Sequence, residues 1–146
     1  MPIIPSIFDN TILISAIVAW LTAQTLKVVI SLIMLRKINW DLIFSSGGFP
    51  SSHSATVSAL ALGIGEYYGW ESPSFAAVAV FAMIVLYDAA GVRLAAGKQA
   101  EVLNQLVERL YRGPVPAQEK LMELIGHTPF EVFGGVIVGI IIGVLI

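Results

Sequence analysis

The chain has 146 residues, 57% of them hydrophobic and 12% charged, with a net charge of -2 and a mean hydropathy of +0.85. Soluble domains carry about 25% charged residues, so a soluble globular protein is excluded. The length allows one domain, the charge argues against a nucleic-acid partner, and the absence of cysteine removes disulfides, thiolate metal sites and cysteine nucleophiles. The expected fold is all-α: a single membrane domain over 1–146, an integral bundle of about four transmembrane helices with an amphipathic interfacial segment.

Met1-Pro-Ile-Ile-Pro5 lacks the basic n-region of a signal peptide, so the first apolar run is expected to stay as a helix, over about 10–35. It is interrupted by Gln24 and Lys27 and stops before Arg36-Lys37. Turn chemistry in Ser45-Ser-Gly-Gly-Phe-Pro50 marks a loop. A second helix is expected over 52–68, followed by Tyr68-Gly-Trp-Glu-Ser-Pro73, whose aromatics suit a membrane interface. A third covers 74–96. From Lys98, apolar Val102, Leu103, Leu106, Val107 and Leu110 recur at helical spacing among charges, giving an amphipathic segment over 98–125. Arg112-Gly-Pro-Val-Pro116 breaks it before a short helix from Ala117 to Ile125. The last helix, 130–146, is entered at Pro129 and carries Gly135, Gly139 and Gly143 at four-residue intervals, a groove for a neighbouring helix. That stripe also makes a homo-oligomer through the last helix plausible.

All eight Lys and Arg residues fall on one side of this arrangement: Lys27, Arg36, Lys37, Arg93, Lys98, Arg109, Arg112 and Lys120. The positive-inside rule then predicts a multi-pass protein of the cell membrane, with both termini outside and the basic connections in the cytoplasm.

Three groups of residues carry chemistry. In Phe49-Pro-Ser-Ser-His-Ser54, proline fixes the chain before a helix and Ser51 or Ser52 suits an N-cap. His53 then sits in the first turn, either as an interfacial histidine or beside backbone N–H groups that favour anions. In the second group, Thr128, Pro129 and Glu131 form a capping box. As a cap Glu131 needs no further role; four residues after His127, it is also close enough to orient the imidazole. The third group is polar residues inside apolar helices, which usually face the bundle interior. Lys27 either snorkels to headgroups or serves a site, and Asp88 and Arg93 could form a structural ion pair. Asp88, Glu101 and Glu131 do not form a metal-ligand spacing, and neither a metal nor a cofactor is expected.

These groups converge on the basic side. His53 opens the second helix, His127 precedes the last, Arg93 closes the third, and Lys27 points the same way from the first; His53 and His127 are the two histidines of the chain. Cations and helix N–H groups can hold phosphate oxygens while one imidazole attacks phosphorus and the other protonates the leaving oxygen.

Pro50-Ser-Ser-His53 resembles the Pro-Ser-Gly-His motif of the type 2 phosphatidic acid phosphatases, relatives of the vanadium haloperoxidases. His127-x-x-x-Glu131-Val132 is similar to their His-x-x-x-Asp-Val motif, and Lys27 with Arg36 to their Lys-x6-Arg-Pro motif. Gly-Gly-Phe-Pro-Ser-Ser-His-Ser and Asp88-Ala-Ala-Gly-Val-Arg93 resemble signatures of the small, divergent bacterial and plant branch. The resemblance runs from about Gln24 to Gly139.

The resemblance implies a membrane phosphatase that hydrolyses a lipid phosphate or diphosphate without metal through a phosphohistidine. His127 would be the nucleophile, Glu131 its orienting carboxylate and His53 the general acid. Lys27, Arg93 and Arg36 would bind phosphate, with Ser51 and Ser52 adding donors; Asp88 and Gln24 are further polar positions of structural or functional weight. Its implied partners are membrane lipids and a phosphorylated lipid substrate. The sequence departs from the family pattern in four places. Arg36 is nine residues after Lys27 and lacks a following proline, Ser52 replaces glycine, Glu131 replaces aspartate, and Arg93 is far from His127 in sequence. Those departures keep open an alternative, a non-catalytic lipid- or phosphate-binding, transport or partner subunit on the same scaffold.

Overall fold

A computed structural model describes residues 7–36, 48–111, 121 and 126–146. The described residues form five helices and no strand: α1 (Thr11–Leu35), α2 (Ser52–Tyr68), α3 (Pro73–Ala90), α4 (Val92–Tyr111) and α5 (Pro129–Leu145). Four of the starts follow from local chemistry. The side chains of Asn10, Ser51, Ser72 and Thr128 each accept a hydrogen bond from a backbone N–H in the first turn of the helix they precede, and Pro73 and Pro129 fill first-turn positions where no N–H is needed. α1 ends with Arg36 in the left-handed region at φ 52°, its N–H bonded to Leu32 O.

The third helix is shorter than expected. It stops at Ala90, and Gly91 interrupts the helix before α4 begins at Val92. Gly91 N–H still bonds Tyr87 O at 2.8 Å, and Ala95 N–H bonds Gly91 O at 2.9 Å, so these backbone groups stay satisfied across the interruption. The amphipathic helix accordingly starts six residues before Lys98. The short helix expected over 117–125 lies outside the described residues apart from Leu121.

The bundle is centred on α2, which packs against α1, α3 and α5, whereas α4 touches α3 alone among the described helices. Its core is made of small residues: Ala19, Ala23, Ala55 and Ala59 are fully buried or nearly so, with Val138 and Ile142 against them. The expected glycine groove exists, and α2 fills it. A methyl group on Gly135 would strike the Ser51 carbonyl, one on Gly139 would strike the Ala55 carbonyl, and one on Gly143 would crowd Leu62. That face is therefore consumed within the chain, and self-association would have to use another surface.

Burial is inverted relative to a soluble protein. Ser15, Lys27, Ser31, Ser51, Ser52, Ser54 and His127 are buried, while Trp20, Ile33, Met34, Phe81, Ile84, Ile141 and Val144 are exposed. Small and polar residues at the helix contacts with large apolar ones outside are what a hydrocarbon solvent demands. The segments Thr11–Met34 and Pro73–Leu110 each contain a stretch long and apolar enough to cross a membrane, and Pro129–Leu145 is a shorter apolar helix. At ~1.5 Å per residue, α1 extends roughly 37 Å and α2, α3 and α5 roughly 26 Å each, against a hydrocarbon core of about 30 Å.

Candidate functional site

Two backbone hydrogen bonds bring the histidine-bearing helix starts together. Ser51 N–H donates to Glu131 O at 3.0 Å, joining the start of α2 to the first turn of α5, and His127 N–H donates to Ala89 O at 3.1 Å, fastening the entry to α5 onto the end of α3. The imidazoles of His53 and His127 consequently lie with ring centroids 6.3 Å apart at an interplanar angle of 61°. Phe49 stacks on Phe130 at 5.1 Å beside them. A methyl on Gly134 would run into that Phe49 ring, so glycine is required there for the loop to close.

Glu131 does both of the things the sequence leaves as alternatives. Its Oε2 accepts from Thr128 N–H at 2.9 Å, completing the capping box, and the same oxygen lies 3.2 Å from His127 Nδ1. An ionised carboxylate only accepts, so Nδ1 carries the hydrogen and Nε2 the lone pair. His127 is 1% exposed, and its Nε2 has no hydrogen-bond partner among the described residues. Burial holds this imidazole below the ordinary histidine range; the hydrogen bond and charge of Glu131 oppose that shift, and Lys27 and His53 add to it. A neutral, oriented imidazole with a free Nε2 has a lone pair available to a proton or an electrophile.

Lys27 does not snorkel. It is 2% exposed, and its Nζ has no hydrogen-bond partner among the described residues. Its stem lies under the Gly48 turn, where a Cβ on Gly48 would approach Lys27 Cδ to 3.1 Å; Gly48 itself has φ +94°, a conformation that already favours glycine. An unpaired buried ammonium is costly, and negative charge near it, as on Glu131, offsets part of that cost. Ser51 is fully buried and its Oγ accepts from both Ser54 N–H at 3.3 Å and Ser54 Oγ at 2.9 Å, leaving its own hydroxyl hydrogen to donate elsewhere. Ser52 is buried beside it, while His53 is exposed in the first turn of α2.

The remaining expected residues are placed less tightly. Arg36 is exposed at the end of α1, about 13 Å along the helix axis from Lys27. Arg93 stands in the first turn of α4, and its side chain lies outside the described residues, as does any ion pair it makes with Asp88. Asp88 is half-buried in the last turn of α3, one residue before the Ala89 carbonyl that holds His127. Gln24 is half-buried on α1, one turn from Lys27. No group of three or more His, Asp or Glu able to hold a metal occurs among the described residues.

Sequence reasoning passed over Asn104. It is buried on α4, and its amide holds the Leu121 backbone from both sides, donating to Leu121 O at 2.8 Å and accepting from Leu121 N–H at 2.9 Å. An asparagine in the middle of an amphipathic helix was the available signal, since it forms helix poorly and seeks backbone partners.

A helical membrane protein whose bundle end gathers two histidines, a carboxylate and a buried lysine is the class defined by these observations. The chain belongs to the Divergent PAP2 family, which it matches over residues 8–142. It is 44% identical over 147 aligned positions to the uncharacterized membrane protein YuiD of Bacillus subtilis (strain 168), covering 93% of each chain. No solved structure matches it.

Proposed function

We propose that the protein is a membrane phosphohydrolase acting on a lipid phosphate or diphosphate through a phosphohistidine. The observation that carries this reading is the buried His127, held through Nδ1 by Glu131 with its Nε2 unpartnered. His127 Nε2 attacks phosphorus, the bond from phosphorus to the leaving oxygen breaks, and His53 donates the proton that oxygen needs. Water then attacks the phosphohistidine, His53 takes its proton, and inorganic phosphate leaves with His127 neutral again. Lys27, Ser51 and Ser52 stabilise the non-bridging oxygens, with Arg93 and Arg36 as further cations at the same end of the bundle. Preorganised charge of this kind is commonly the largest catalytic contribution.

With four crossings by α1, α2, α3 and α5, Lys27, Arg36 and Arg93 lie toward the site end, which by the positive-inside rule faces the cytoplasm. The substrate is then a lipid of the cytoplasmic leaflet. The test is phosphate release from a panel of lipid phosphates and diphosphates by purified protein, with and without EDTA, beside His127→Ala. EDTA-resistant release that disappears in the variant is expected. Full activity in His127→Ala would sink the mechanism, and no release from folded wild-type protein would leave a binding or transport role on the same pocket.

A further inference from the structure

We propose that Ser31 is a phosphate-binding residue, its hydroxyl donating to the same anion that the Lys27 ammonium neutralises. This rests on the reading of the site as a phosphate site and adds a donor that none of its sequence motifs contains.

The inward row of α1 is read off at four-residue intervals, Ala19, Ala23, Lys27 and Ser31, all buried. Toward the far end the row is alanine, which packs against α2 and asks for nothing. Toward the site end it turns polar, first at Lys27 and then, one turn (about 5.4 Å) on, at Ser31. A residue needed only as a spacer would be alanine there too, because alanine fills nearly the same volume without a buried hydroxyl.

Other hydroxyls in these helices show what a structural Ser or Thr does. Ser15 donates to Ile12 O at 2.9 Å, Thr25 to Leu21 O at 2.8 Å and Thr56 to Ser52 O at 2.8 Å. Each thus satisfies itself on the preceding turn, the usual solution in an apolar helix. Ser31 does not. It is 8% exposed, and its Oγ has no hydrogen-bond partner among the described residues. Lys27 Nζ and His127 Nε2 are buried and unpartnered in the same way. Two donors on one face of α1 and a lone pair at the start of α5 match a phosphoryl group, whose non-bridging oxygens only accept and whose phosphorus is the electrophile. Lys27 supplies charge, and Ser31, itself uncharged, supplies a directional hydrogen bond to the anion that holds the group's orientation.

The experiment measures orthovanadate affinity by calorimetry, steady-state kinetics and the melting temperature of the ligand-free protein, for wild type and Ser31→Ala in detergent. The expected result is a Kd for vanadate and a KM each raised about tenfold, the loss of one charge-assisted hydrogen bond. The melting temperature should stay unchanged or rise, since an unpaired buried hydroxyl has been removed. Wild-type binding with an unchanged Kd in Ser31→Ala would overturn the role of Ser31 and leave the phosphate site standing. A lowered melting temperature with unchanged Kd would mark a structural hydroxyl and overturn it equally. Folded wild type that neither binds vanadate nor releases phosphate would overturn both this inference and the reading it rests on.

Discussion

The two ends of the bundle are made from the same helices and differ in what they leave unpaired. At the far end α1, α2 and α5 enclose a cleft of about 220 Å³ lined by Thr11, Ser15, Gly63, Glu66, Tyr67 and Gly143. Its neighbourhood is settled: Ser15 bonds its own helix, Trp70 lies over Gly65 and packs on Phe75 at 5.0 Å, and Tyr67 meets Tyr68 at 4.8 Å. At the other end Lys27, Ser31 and His127 are almost fully buried, each with a polar atom that bonds nothing among the described residues. A buried unpaired polar group costs about 1–3 kcal/mol, and more when charged. Unpaired buried polar groups therefore set the site end apart from the far end among the described residues, and a fold tolerates such groups where a ligand can meet them.

That contrast is sharpened by substitutions at each end, beginning with the largest effect. Lys27→Met should lower phosphate release about a hundred- to a thousandfold, as removal of a preorganised charge does. Its melting temperature should equal or exceed that of wild type, because an unpaired buried ammonium is gone; a large loss of stability with activity retained would make Lys27 structural.

Glu131→Gln keeps an acceptor for Thr128 N–H and removes the charge beside His127, so turnover should fall about ten- to a hundredfold. The pH profile separates orientation from charge. Only neutral His127 attacks, and its burial sets its pKa below the ordinary ~6.5, so the acid limb of wild-type turnover should lie below that value, while the alkaline limb belongs to the protonated His53 that the mechanism requires. Glu131 opposes the downward shift, so the acid limb of the variant should move to still lower pH. The same linkage makes folding stability greatest above the ordinary histidine pKa and smaller as pH falls toward the lowered one. An acid limb that moves upward would contradict the assigned hydrogen bond.

Gly135→Ala forces a methyl against the Ser51 carbonyl and should cost about 1–3 kcal/mol, read as a lower melting temperature. Because Ser51 N–H is bonded to Glu131 O, activity should fall with it. The smallest effect belongs to the far end: Glu66→Gln, on the cleft, should leave phosphate release within about twofold of wild type, the usual reach of an exposed substitution. A large loss there would move the chemistry to the wrong end of the molecule.

Much of this was legible from residues alone, for identifiable reasons. Asn10, Ser51, Ser72 and Thr128 announce helix starts because capping is a local event, and Pro73 and Pro129 reinforce it. The end of α3 was not legible: Gly91 sits in an unbroken helical pattern, and whether such a glycine interrupts the helix depends on where α4 finds contacts. The spacing of Gly135, Gly139 and Gly143 showed that a helix packs there without saying that it is α2. His127 and Glu131 could be paired by their separation of four, but that one carboxylate oxygen both caps and orients is a matter of geometry. Ser31 and Asn104 carry no motif, and their weight comes from burial and bonding.

The central claim is that His127 carries the phosphoryl group. The most direct test is rapid quench of the purified protein with a lipid phosphate labelled at phosphorus, followed by peptide mapping. The account predicts an acid-labile, alkali-stable phosphohistidine on the peptide containing His127, formed before phosphate release and absent from His127→Ala. Phosphate release with no trapped intermediate, or label that persists in His127→Ala, would contradict it.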